Sequence, residues 1–145
     1  MMTLMQLLNK KGSQVWSVNT ETTVYDALRL MAEKGIGALP VMSGGKLAGI
    51  VSERDYARKI ILEGRSSRDT PVADIMSTTV MRLSPDHLVN DGMALMTEKR
   101  IRHLPVMEDG HMVGIVSIGD LVKAVIEDQE FVIGQLESYI SGELA

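Results

Sequence analysis

The sequence predicts an α/β protein of the α+β kind, made of two βαββα repeats packed about a pseudo-two-fold axis. Three observations predict it. The chain overlays itself without a gap at a shift of 65 residues, and about 18 of the 45 positions from Val15 to Lys59 are identical to their partners. Each copy passes from short extended segments to helical spacing of apolar residues and back. Each copy also places a glycine turn between two apolar runs, the signature of a hairpin. Leu39-Pro40-Val41-Met42 falls on Leu104-Pro105-Val106-Met107, and Gly49-Ile50-Val51-Ser52 on Gly114-Ile115-Val116-Ser117. Asp55 falls on Asp120, Asp26 on Asp91, and Gly45 on Gly110. One copy of this size, with three strands and two helices, leaves an apolar face open, and a second copy can cover it.

The elements follow in order. Residues 1–12 read as a short amphipathic helix carrying Leu4, Leu7 and Leu8. They lack the basic start, apolar middle and small-residue cleavage site of a signal peptide. The first repeat is expected over 13–62. It opens with the extended segment Val15-Trp16-Ser17-Val18, and Val24, Ala27, Leu28 and Met31 then recur at helical spacing. A hairpin follows, with Ala38–Met42 and Lys46–Val51 flanking Ser43-Gly44-Gly45, and a second helix starts after Ser52. Residues 63–70 are polar, contain Gly64 and Ser66-Ser67, precede Pro71, and read as a linker. The second repeat, 71–125, opens with Val80-Met81-Arg82-Leu83. Ser84 before Pro85 reads as the cap of its first helix, which carries Val89, Gly92, Met93 and Met96. Glu108-Asp109-Gly110 turns its hairpin, and its second helix begins after Ser117. Residues 126–145 read as a separate terminal amphipathic helix with Phe131, Leu136 and Tyr139.

Composition removes several function classes. Apolar residues make up 45% of the 145 and charged residues 23%, ordinary values for a folded globular chain. There are no cysteines, which excludes disulfides and thiolate chemistry and fits a reducing, cytoplasmic compartment. A net charge of −4 offers no basic excess for nucleic acid. No apolar run approaches the roughly 18–20 residues that span a membrane. His87 and His111 have no acids or histidines at ligand spacing, so no metal site is expected. There is no phosphate-binding glycine loop, dinucleotide fingerprint or Ser-His-Asp arrangement. The methionines, 11 in all, read as core filler or an adaptable packing surface.

Each copy closes on Gly-hydrophobic-x-Ser-x-x-Asp, as Gly49-Ile50-Val51-Ser52-Glu53-Arg54-Asp55 and Gly114-Ile115-Val116-Ser117-Ile118-Gly119-Asp120. A Leu-Pro-Val strand precedes it at the same distance in both. Over roughly Val15–Lys123 the chain resembles the CBS domain, named after cystathionine beta-synthase, in its tandem Bateman arrangement. The resemblance implies a binding module rather than an enzyme, with no catalytic cofactor. It implies an adenosine-containing ligand such as AMP, ADP, ATP, S-adenosylmethionine or NAD(H), held in the clefts between copies. It also implies a homodimer, as a flat disk of four copies, that regulates another protein. A catalytic barrel of the kind attached to some such pairs needs about 200 residues or more. The competing expectation is a structural dimerisation module without a ligand.

The candidate contacts divide by chemistry. Ser52 with Asp55, and Ser117 with Asp120, read as clamps. A carboxylate can accept two hydrogen bonds from ribose hydroxyls, and a serine beside free helix N–H groups suits a phosphate. The same spacing is also that of a helix cap with an acid at its third position, and both readings stand together. Gly35, Gly37 and Ala38 of the first copy become Arg100, Arg102 and His103 in the second. Small residues leave room and basic ones neutralise phosphate, and the resemblance implies that basic side chains just before the Leu-Pro strand reach the phosphates, so Arg102 and His103 are the expected phosphate contacts. Arg54 lies inside the first clamp motif, and Gly119 takes its place in the second. Arg58 and Lys59 follow on the same helix, Arg58 as a surface residue. The resemblance assigns the adenine to the opening strands, at Val15 and Trp16 for one site and Val80 and Met81 for the other, each paired with the aspartate of the opposite copy. Trp16 reads equally well as a core or interface residue.

Overall fold

Each repeat is built on a hairpin whose two-residue turn needs left-handed backbone at both positions. Gly44 and Gly45 take φ of 56° and 78°, and Asp109 and Gly110 take 51° and 79°. Two successive positive φ values give the reversal whose twist matches the flanking strands. In the computed structural model, which describes residues 1–12 and 14–142, the order is α1 (Leu4–Lys11), β1 (Val18–Asn19), α2 (Val24–Lys34), β2 (Ala38–Ser43), β3 (Lys46–Ser52) and α3 (Glu53–Tyr56). A π-helical turn (Ala57–Ile61) and a 3-10 turn (Val72–Asp74) come next, then α4 (Val89–Lys99), β4 (His103–Glu108), β5 (His111–Ser117) and α5 (Ile118–Ser141). Residue 13, the expected first residue of the first repeat, and the last three residues of the expected terminal helix lie outside the described residues.

The described residues form two compact units, one from 1–12, 82–108 and 113–142, the other from 14–81 and 109–112. In the second of these, β1 runs parallel to β2 through Val18–Val41 and Asn19–Met42, and β2 pairs antiparallel with β3. Ala38 lies opposite Ser52 and Val41 opposite Gly49 in that pairing. Thr23 caps α2 by accepting from the N–H of Asp26, and Gly35 ends it at φ 64°. Val24, Ala27 and Met31 of α2 pack on Leu39, Val41 and Val51 of the sheet, with Ile60, Val72 and Ile75 closing the core. The expected linker is tied down on this unit. Thr70 is buried, its carbonyl accepts from Val24 N–H, and that of Ser67 accepts from Tyr25 N–H.

The other unit departs from expectation in four places. Its hairpin, β4 with β5, has no regular third strand, and only Leu83 makes a parallel bridge, to Val106. The opening segments therefore pair later than Val15–Val18 and Val80–Leu83 suggest, at Val18 and at Leu83. Ser84 does not cap α4. Ser84 and Pro85 instead form a turn in which Ser84 N–H and the His87 ring lie 3.0 Å apart, and α4 starts at Val89 with the Asp91 carboxylate accepting from Leu88 N–H at 2.8 Å. That turn serves α1: the carbonyls of Pro85 and His87 accept from Met5 and Leu4, and Leu4, Leu7 and Leu8 are buried. Finally, α5 runs unbroken through the expected boundary at 126, because nothing between Ile118 and Ser141 breaks helical geometry. Met96 joins the buried residues of α4, whereas Met93 is only half-buried. Arg100 ends α4 at φ 55°, where Gly35 ends α2, a left-handed conformation that costs a residue with a Cβ roughly 1–2 kcal/mol.

The glycines that open the two Ser-x-x-Asp motifs mark close approaches. A Cβ on Gly49 would lie 2.6 Å from the Ser77 carbonyl oxygen, whereas one on Gly114 would meet the ends of the Leu8 side chain. Backbone cannot move aside without breaking the Ile50–Ser77 bridge, but a leucine tip can rotate. Gly49→Ala should therefore lower the free energy of unfolding by roughly 1–3 kcal/mol and Gly114→Ala by less. Urea titration of the two variants checks the order.

Candidate functional site

Both Ser-x-x-Asp motifs sit where a strand becomes a helix. At the end of β3, Ser52 leaves the sheet in extended conformation and its hydroxyl accepts from Asp55 N–H at 3.2 Å. The Asp55 carboxylate returns the contact, taking the Ser52 N–H and hydroxyl at 3.0 Å each. Its other oxygen lies 3.4 Å from the Lys59 ammonium, which also donates to the Ile75 carbonyl at 2.8 Å. The first N–H of α3, on Glu53, donates to the carbonyl of Gly37 at 3.1 Å. Gly37 is thereby held against the clamp.

The motif at the end of β5 repeats the construction. Ser117 N–H donates to Asp120 at 2.8 Å, and Asp120 N–H to the Ser117 hydroxyl at 3.1 Å. The first N–H of α5, on Ile118, donates to the carbonyl of Arg102 at 2.9 Å, as Glu53 does to Gly37. The cation differs. Lys11, the last residue of α1, forms an ion pair with Asp120 and also donates to the Ile115 carbonyl at 2.7 Å. Burial raises the carboxyl pKa of Asp120, but the hydrogen bonds from Lys11 and Ser117, with the Lys11 charge, outweigh it and hold the group below its usual value. His103 is lowered from its usual value, first by burial, with the Lys11 and Arg102 charges pushing the same way and Asp120 opposing. An imidazole, a guanidinium, an ammonium and a carboxylate thus share one helix start.

The candidates separate as follows. Val15, Trp16, Gly37, Ala38, Ser52, Arg54, Asp55, Val80 and Met81 fall in one unit, and Arg102, His103, Ser117, Gly119 and Asp120 in the other. Ala38 is buried opposite Ser52, so it can offer a ligand backbone only. Gly119 leaves the start of α5 bare where Arg54 stands exposed on α3. Trp16 is not core: it is partly exposed, and the Lys34 ammonium sits 4.0 Å from its ring centre. Val15, Val80 and Met81 are half-buried. Lys11 was missed, because its partner lies 109 residues away. The pairing of Lys59 with Asp55 was legible as an acid four residues before a base on one helix face. Among the described residues no group of three or more His, Cys, Asp or Glu is placed to hold a metal, and no helix is long and apolar enough to cross a membrane.

The chain belongs to the CBS-domain family, whose description matches residues 11–62 and 72–127. Among curated relatives, the mitochondrial CBS domain-containing protein CBSX3 of Arabidopsis thaliana is 46% identical over 136 residues; the match covers 90% of this chain and 66% of that protein. Among solved structures, a CBS-domain protein from Burkholderia ambifaria superposes with a TM-score of 0.85 at 51% identity, covering 88% of this chain and 96% of its own. A hexameric CBS-CP12 protein from bloom-forming cyanobacteria superposes at 0.74 with 27% identity, over 83% of this chain and 70% of that one.

Lys11→Met should let the Asp120 carboxyl rise toward its usual value and cost about 0.5 kcal/mol, the middle of the range for a part-exposed pair. A carboxyl lowered by folding stabilises fully above its unfolded pKa, near 3.8, and loses that contribution as pH falls through the folded value. The stability gap between the two proteins should accordingly close below pH 3.8. NMR titration of Asp120 and denaturation across pH check both parts.

Proposed function

We propose that the chain is a regulatory CBS pair that binds an adenine nucleotide, AMP, ADP, ATP or NAD(H), and acts as a homodimer on another protein. The observation that carries this reading is the doubled construction. In both units a carboxylate is fixed at a helix start, and the residue before the Leu-Pro-Val strand is hydrogen-bonded to the first N–H of that helix. A carboxylate so placed can take the paired hydroxyls of a ribose, and the positive end of the helix beside it suits a phosphate. Arg102 supplies the charge, and His103 the protonatable ring, that Gly37 and Ala38 do not. The clamp of Ser117 and Asp120 is therefore the one suited to the ligand richer in phosphate. Val15, Trp16, Val80 and Met81 are the proposed adenine contacts.

Binding would favour one arrangement of the pair over another, and a partner would read the difference. We place this activity in a reducing, cytoplasmic setting on the lack of cysteines, while the Arabidopsis relative is mitochondrial by name. The module is proposed to do no chemistry of its own. One observation favours the second reading, a structural module without ligand: both aspartates already have partners, Lys59 for Asp55 and Lys11 for Asp120. On the nucleotide reading these lysines share or surrender the carboxylate when ribose arrives.

Asp120→Ala should weaken nucleotide binding by roughly 1.5–3 kcal/mol, the range for hydrogen bonds to a charged group, with the fold retained, since a helix-start acid contributes only about 0.3–1 kcal/mol. Arg102→Ala should weaken ATP more than AMP, and that difference should shrink as salt screens it. Calorimetry with AMP and ATP at two ionic strengths measures both. Unchanged affinity in Asp120→Ala would leave the aspartate as a cap and favour the structural module.

A further inference from the structure

Ala124 is the last buried residue of α5, and the helix continues for nearly five more turns, at about 3.6 residues each. What it carries there is apolar and open to solvent. Ile126, Ile133 and Ile140 recur at intervals of seven and are 49%, 53% and 83% exposed. Val122 and Leu136, both exposed, alternate with them at spacings of three and four, and Gln129 fills the one remaining place in that series. Val125, Val132 and Tyr139 widen the stripe on one side, and Lys123, Glu130 and Glu137 edge it on the other. An open groove lined by Val122, Ile126 and Glu130, among others, follows the same edge. A repeat of seven, alternately three and four, keeps one helix in register against another.

We propose that α5 is the surface on which two copies of this chain join, as an antiparallel two-helix coiled coil centred at the level of Phe131. This rests on the homodimer of the preceding reading and assigns its surface. The stripe is complementary to itself. Set antiparallel, Val122 meets Ile140 of the second copy, Ile126 meets Leu136, and Gln129 meets Ile133, so every apolar residue of the series is covered in a single register. The same register brings Lys123 opposite Glu137 at both ends, and one like pair, Glu130 with Glu130, meets at the centre. A parallel pair in register sets Glu130 against Val125 and Glu137 against Val132, with no opposite charges meeting. Flanking charges of this kind decide partner and orientation. The lone polar Gln129 adds a register signal, since shifting the helices would bury it against a different layer.

The absence of cysteines makes single-cysteine variants clean probes. With a short bismaleimide, Glu130→Cys should cross-link within the dimer. Ile140→Cys should not, because its two copies stand about 27 Å apart along an antiparallel pair. Ile133→Asp should weaken association at least tenfold in sedimentation equilibrium. Cross-linking at Ile140→Cys alone would overturn the antiparallel arrangement. A dimer that neither cysteine cross-links and Ile133→Asp leaves intact would overturn α5 as the surface while keeping the homodimer. A wild-type monomer at roughly 10 µM, a level at which stable dimers persist, would overturn both.

Discussion

The reciprocal hydrogen bonds between serine and aspartate at the ends of β3 and β5 are the constraint on which the rest depends. Each pair ends a strand and starts a helix, satisfying N–H groups that helix geometry leaves without partners. The same bonds fix the carboxylate in place, which on the proposed reading would remove part of the ordering cost of binding a nucleotide. They also set what lies nearby. The first N–H of each helix reaches back to the residue before the Leu-Pro-Val strand, so Gly37 and Arg102 occupy equivalent places. A difference between the copies at those positions becomes a difference in charge at the clamp.

The two clamps are equal in backbone and unequal in electrostatics. Asp55 is met by Lys59 from the π-helical turn that directly continues α3, and Asp120 by a lysine from the far end of the chain. That remote partner depends on how α1 docks. Leu4, Leu7 and Leu8 are buried, Leu8 lies over Gly114, and the carbonyls of Pro85 and His87 hold the first turn of the helix. Lys11 therefore reaches Asp120 through apolar packing rather than through long-range attraction. Lys11, Arg102 and His103 give this clamp a concentration of positive or protonatable groups around one carboxylate.

Much of this was legible in the sequence because local chemistry and the repeat agreed. Glycine at the hairpin turns, the Ser-x-x-Asp spacing and the doubled Leu-Pro-Val strand each have one economical structural meaning, and each occurs twice. What was not legible depended on contacts distant in sequence. Ser84-Pro85 has the form of a helix start, yet the carbonyls of Pro85 and the neighbouring His87 are used to hold α1, and α4 begins later. A boundary at residue 126 followed from the end of the repeat, whereas the backbone needs a breaker to stop and has none there. Lys11 carries no local mark, since only the packing of α1 gives it a partner. For the candidate site, the serines, the aspartates and the places of Gly37 and Arg102 were readable, and the lysine that neutralises Asp120 was not.

Comparing AMP with 2′,3′-dideoxy-AMP by calorimetry tests most directly whether these carboxylates hold a ribose. If they do, loss of both hydroxyls should weaken binding at least tenfold, about 1.4 kcal/mol, and the two ligands should bind alike once Asp55 and Asp120 are both replaced by alanine. Equal affinity of the wild-type protein for the two nucleotides would contradict a ribose clamp and leave the aspartates as helix caps.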